Sequence, residues 1–264
     1  MAVIKITSTN PSVRGEVKVT AVEPHIRIVI TSVITGYTIQ SLKGLEYLFS
    51  DPAVIVPTYR VDVLNYDEEN KSGQFEFSFN VTRDAWYCIG EQDKKQLILN
   101  RAFVPANWTQ NLYGGEWVPN YPKLTGLGAF RLTRFGQRAI PAKPLPRQTN
   151  LDKTPIEATR KDETLATDIM IHVGGTYEMK CYDHLGGSFG CFAFIPQEDI
   201  YSTEALAKQA CIDDHYDDSS SNSEWKKISN KILKLSFEKK KKIKILLEYR
   251  DETQNYIPSE VLAE

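Results

Sequence analysis

Gln74-Phe75-Glu76-Phe77-Ser78-Phe79-Asn80-Val81 is the stretch on which the fold turns. Polar and apolar residues alternate over eight positions, the period of an extended strand whose side chains point to opposite faces in turn. The pattern predicts that Phe75, Phe77, Phe79 and Val81 share one buried face. Upstream, Tyr59-Arg60-Val61-Asp62-Val63-Leu64 alternates in the same way, and the polar segment 65–73 between the two runs ends in Gly73. The pair reads as a β-hairpin. Further strands are expected at residues 16–20, 26–34, 169–171 and 242–249, whereas only residues 203–211 have clear helix-forming composition. Residues 108–153 are rich in glycine and proline, which oppose long helices and favour loops. The expectation is a mostly β protein with few short helices. Asp51-Pro52 and Pro57 mark a boundary that sets residues 1–55 apart as a small N-terminal β extension.

Composition excludes several classes. The 264 residues are 41% hydrophobic and 25% charged, ordinary values for a globular chain. With 32 basic against 34 acidic residues the net charge is −2, so no nucleic-acid partner is expected. Four cysteines and four histidines are too few for a disulfide scaffold of this length. The apolar run at 26–34 is about half a spanning helix and contains Arg27, so no integral membrane segment is expected. Residues 1–10 lack the apolar core of a signal peptide, which implies synthesis in the cytoplasm without one.

The last third is polarised in charge. Residues 197–224 hold eight acids and one lysine, a local charge of −7; residues 225–250 hold ten bases and two acids, a local charge of +8. Residues 213–223 read as a solvated acidic loop and Lys239–Lys242 as a solvated turn. Attraction of that turn to an anionic polymer or membrane surface is the sharper alternative.

The chemistry concentrates in two segments, Asp168-Ile169-Met170-Ile171-His172-Val173-Gly174-Gly175 and Leu185-Gly186-Gly187-Ser188-Phe189-Gly190-Cys191-Phe192. A histidine closes an apolar strand and meets a glycine pair. Nineteen residues later a cysteine follows a turn of small residues and precedes the apolar run 192–195. Glycines let the backbone approach a reacting carbonyl, and successive N–H groups around Gly190 and Cys191 can hold a developing oxyanion. His172 can take the thiol proton to make the nucleophilic thiolate.

Histidine before cysteine, at this spacing, resembles the L,D-transpeptidase (YkuD-like) family. Its signature is a histidine, a gap somewhat under twenty residues, then Ser/Thr-x-Gly-Cys before an apolar strand. The matching residues are Ile171-His172 and Ser188-Phe189-Gly190-Cys191. The family commonly has a second histidine where this chain has Phe189, and Arg or Asn where it has Ala193. Divergent relatives that act as secreted peptidoglycan-targeting toxins also lack that second histidine.

The resemblance implies an L,D-transpeptidase-like catalytic domain over residues 56–264. It also implies a cysteine enzyme that cleaves peptidoglycan stem peptides without a cofactor, as an L,D-carboxypeptidase, a transpeptidase or a D-amino-acid exchanger. Cys191 and His172 are then catalytic, Ser188 and Gly190 shape the oxyanion turn, and Gly174 and Gly175 line the substrate. Stem peptides carry carboxylates, which call for a bidentate arginine, and Arg131, Arg134 and Arg138 are the candidates.

A wall-directed site on a chain without a signal peptide implies another export route, such as type VI secretion into a neighbour's periplasm. Such an antibacterial effector needs a secretion-spike or chaperone partner, loaded through residues 1–55, and a cognate immunity protein. Two rivals stand beside this reading. One is a non-catalytic cell-wall-binding or assembly module with Cys191 as a packed thiol. The other is a structural zinc protein using His172, Cys181, His184 and Cys191, although that spacing lacks the Cys-x2-Cys knuckles of common zinc sites.

Overall fold

The computed structural model describes residues 23–41, 53–83, 112–121, 126–143, 165–174, 191–212 and 219–248. It adds short stretches at 86–89, 98–101, 104–105, 148–150, 155–156, 176–177, 185–186 and 259–261. The expected strand at 16–20 and the candidates Gly175, Cys181, His184, Ser188 and Gly190 lie outside the described residues, as do residues 213–218 of the acidic loop.

The described chain is mostly β. Its principal strands are β1 (His25–Ser41), β2 (Ala53–Asp67), β3 (Ser72–Thr82), β4 (Leu112–Pro119), β5 (Gly128–Thr133), β6 (Met170–Val173), β7 (Phe192–Ile195) and β8 (Lys242–Leu247). They hydrogen-bond in the order β1-β8-β4-β5-β6-β7-β3-β2, and β2 pairs back onto β1, so the sheet closes into a barrel. Only β1/β8 and β6/β7 run parallel; the other neighbours are antiparallel. β9 (Ser259–Val261) adds to β2 near Ala53.

Alternation decides which residues fill the barrel. Ile26, Ile28 and Ile30 of β1 stand level with Ile243, Ile245 and Leu247 of β8, and all six belong to one buried core. Val61, Val63, Phe79, Val81, Phe130, Leu132, Ile171, Val173, Phe192 and Phe194 continue that core around the ring. Burial of a large apolar side chain stabilises by about 1.5–3 kcal/mol. Arg83, itself buried, helps to tie the ring together: its guanidinium donates to the carbonyls of Thr31 at 2.8 Å and Glu248 at 2.9 Å.

Helix α1 (Glu204–Ile212) forms where expected, capped by Thr203, whose Oγ1 accepts the Leu206 N–H at 3.2 Å. A second helix, α2 (Ser219–Glu238), was not expected and is twenty residues long. It takes in residues 219–223 of the segment read as a loop. Trp225, Ile228, Ile232 and Leu235 recur at helical spacing and pack on the barrel core. Trp225 is fully buried among Phe79, Phe130 and Phe194, and its indole N–H donates to the Gly128 carbonyl at 2.7 Å.

Three expectations need correction. Phe75 is 58% exposed instead of sharing the buried face with Phe79 and Val81. The register runs Val63 opposite Phe77 but Leu64 opposite Phe75, so one extra residue of β3 bulges and Phe75 turns outward. The boundary at residue 55 falls inside β2, and β1 is flanked by both β2 and β8, so residues 25–41 are barrel wall and not a separate extension. Residues 108–153, expected to favour loops, supply the barrel strands β4 and β5; at the start of β1, His25 is fully buried beside Tyr66, Arg27 and Glu68.

Candidate active site

The outer face of β4 to β7 carries the candidate site. β6 and β7 are adjacent and parallel, with His172 level with Ala193. Level residues on neighbouring strands share a face, so His172 and Cys191 both point away from the barrel core, diagonal to each other. Diagonal Cβ atoms on neighbouring strands stand roughly 7–8 Å apart. Gly174 holds the strands at this spacing. Its N–H donates to the Phe194 carbonyl at 2.8 Å, and a Cβ built there would meet that oxygen at 2.1 Å.

Cys191 is a reduced, buried thiol. Its Sγ accepts the Met170 N–H at 3.4 Å and approaches the Asp168 carbonyl at 3.6 Å as a donor. Burial pushes this thiol up to about 12. His172 is also buried; its Nδ1 bonds the Val173 carbonyl, which makes Nδ1 the protonated nitrogen and leaves the lone pair on Nε2. Burial lowers its pKa to about 4. The pair at rest is therefore neutral thiol and neutral imidazole.

Tyr121, after β4, meets the His172 ring edge-on at 5.6 Å and packs with Val118 on the cluster of Ala129, Met170 and Cys191. Its hydroxyl, pushed up to about 12 by burial, stays a donor. Asp168 has φ of 58°, the left-handed region, which a short polar side chain tolerates. Arg131, on β5 level with Met170, reaches the Asp168 carboxylate at 2.9 Å from Nε and the Glu116 carboxylate at 3.2 Å from Nη1. The Nε contact is near enough for an ion pair but lies off the N–H axis, so it is electrostatic and not a directed hydrogen bond.

Compared with models of protein families, with curated proteins and with solved structures, the chain matches none.

Of the sequence candidates, the fold gathers Cys191, His172, Gly174 and Arg131 on one face. Arg131 already engages two carboxylates, so a substrate carboxylate there must compete with Glu116 and Asp168. Arg134 and Arg138 are exposed and lie in the hairpin that follows β5. Of the four zinc candidates, Cys181 and His184 lie outside the described residues, and no metal-binding cluster occurs among the described ones. Among the described residues no helix is long and apolar enough to cross a membrane. Sequence reading missed Tyr121, Glu116 and Asp168. Asp168 was legible as the acid before an apolar strand; Tyr121 lies fifty-one positions from His172 and is brought in only by the β4–β5–β6 pairing.

Proposed function

We propose that the chain is a cysteine-dependent enzyme acting on peptidoglycan stem peptides, with Cys191 as nucleophile and His172 as its base. The observation that carries the reading is the pairing of a thiol and a neutral imidazole on the same outer face of adjacent parallel strands. His172 Nε2 takes the thiol proton as Sγ attacks the carbonyl at the diaminopimelate–D-alanine bond. The S–C bond forms, the C–N bond breaks, and His172 returns the proton to the departing amine. Water then hydrolyses the thioester to give a carboxypeptidase; an amine gives transpeptidation or exchange. With both groups neutral at rest, proton transfer inside the closed site replaces a standing thiolate–imidazolium pair.

Incubation with purified muropeptides and mass analysis of the products tests this. Loss or exchange of D-alanine is expected; intact muropeptides from every stem tried would overturn it. A specific observation favours the second reading, a non-catalytic wall-binding module. A thiol held protonated up to about 12 by burial is what an inert packed cysteine displays. Alkylation in the presence of a stem-peptide analogue separates the two, since only an active site has its thiol activated by ligand.

Action on the wall of a neighbouring cell, delivered by a contractile secretion device, completes the proposal. Lysis of a bacterium expressing the chain only when a signal peptide is appended, and only with Cys191 intact, is the expected result. Equal toxicity from the cytoplasm would refute the wall-directed role.

A further inference from the structure

The hairpin following β5 breaks a local rule. Arg134 and Gln137 exchange two backbone hydrogen bonds of 2.9 Å across Phe135 and Gly136, whose φ values are 52° and 76°. Positive φ at both central positions defines a type I′ turn, for which Asn-Gly is the favoured pair. A bulky aromatic in the first position is strained. Among the described residues no packing rewards that strain, and Phe135 is 90% exposed. Arg134 leans over its ring at 5.5 Å, and exposed Arg138 follows the turn. An exposed, strained aromatic between two arginines is a costly arrangement for a simple turn.

The turn is wired to the candidate site. The Arg138 carbonyl accepts the Asp168 N–H at 3.4 Å, and the Asp168 carbonyl is the acceptor facing Cys191 Sγ. Arg138, at the base of the hairpin, therefore stands on the Asp168 side of the thiol, and the Phe135–Gly136 tip lies two to three residues away along the chain. The Arg131 fork, closer in, is taken by Glu116 and Asp168. Arg134 and Arg138, by contrast, are exposed.

We infer that the Phe135–Gly136 tip is an outer binding subsite for a carboxylate-bearing glycan polymer, with Phe135 stacked on a sugar face and Arg134 and Arg138 on stem carboxylates. An aromatic face offers flat apolar area to a sugar ring, and guanidinium forks match carboxylates bidentately. The inference rests on the peptidoglycan reading above and assigns that site its grip on the polymer.

Co-sedimentation of the full chain with purified sacculi, against vesicles of phosphatidylglycerol as a second arm, tests it with Phe135→Asn. Asparagine suits the left-handed position, so the variant is expected to raise Tm by about 2–4 °C while sacculus binding falls about tenfold. Arg134→Gln with Arg138→Gln should weaken sacculus binding to a similar extent. D-alanine release from a short sugar-free stem peptide, which offers Phe135 nothing to stack on, should stay at the wild-type rate in Phe135→Asn. Unchanged sacculus binding by Phe135→Asn overturns the inference while leaving the enzyme reading intact. So does binding to vesicles alone, which assigns the tip to lipid. Absent muropeptide turnover by the wild type, with sacculus binding still dependent on Phe135, overturns the enzyme reading and keeps the subsite.

Discussion

A thiol that titrates near 12 and an imidazole that titrates near 4 hold opposite ends of a pH window. His172 has a lowered folded pKa, so its contribution to stability is full above about 6.5 and is lost as pH falls towards 4. Cys191 has a raised folded pKa, so its contribution is full below about 9 and is lost as pH rises towards 12. Each is worth on the order of 3–4 kcal/mol when fully titrated. Urea midpoints measured against pH should form a plateau between about 6.5 and 9, with His25, also pushed down to about 4 by burial, adding to the acid slope. His172→Gln should flatten that slope; an unchanged slope would mean the imidazole is solvated. For activity, Cys191→Ala should cost several orders of magnitude in kcat without unfolding the protein. Turnover at a tenth of the wild-type rate would place the nucleophile elsewhere.

Among the elements, α2 and the β3 bulge carry the clearest consequences. Trp225 enters a cage of Phe79, Phe130 and Phe194 and donates to the Gly128 carbonyl, so Trp225→Ala removes packing and orphans a buried acceptor. A loss of about 3–5 kcal/mol by denaturant titration is expected. Phe75→Thr should change stability by under about 0.5 kcal/mol, whereas Phe79→Ala should cost about 3–5 kcal/mol. Equal losses at the two positions would contradict the register shift at Leu64. The apolar stripe of α2 was present in the sequence at 225, 228, 232 and 235. A polar, serine-rich first turn and a dense lysine face hid it, because helices of this kind owe their stability to tertiary packing more than to propensity.

At the scale of the molecule, closure governs. β1 stands between β2 and β8, which are almost two hundred residues apart in the chain. Deleting residues 1–55 removes β1 and the start of β2, leaving β8 and the rest of β2 with open edges and the isoleucines of β8 in water. The truncated chain should lack cooperative thermal unfolding by circular dichroism. A cooperative transition near the full-length Tm would restore a separable N-terminal extension.

The strands around residues 26–34, 59–64, 74–81, 169–171 and 242–249 and the β2–β3 hairpin were readable in the chain itself, whereas β4 and β5 fell in a segment expected to favour loops. Each rests on alternation or spacing over a few residues, where the physics is local. The barrel, the outward turn of Phe75, the burial of His25 and the joining of Tyr121, Arg131 and Asp168 to Cys191 were not. They depend on which strands become neighbours and in what register, and one bulged residue or one closing pair is enough to reassign a whole face.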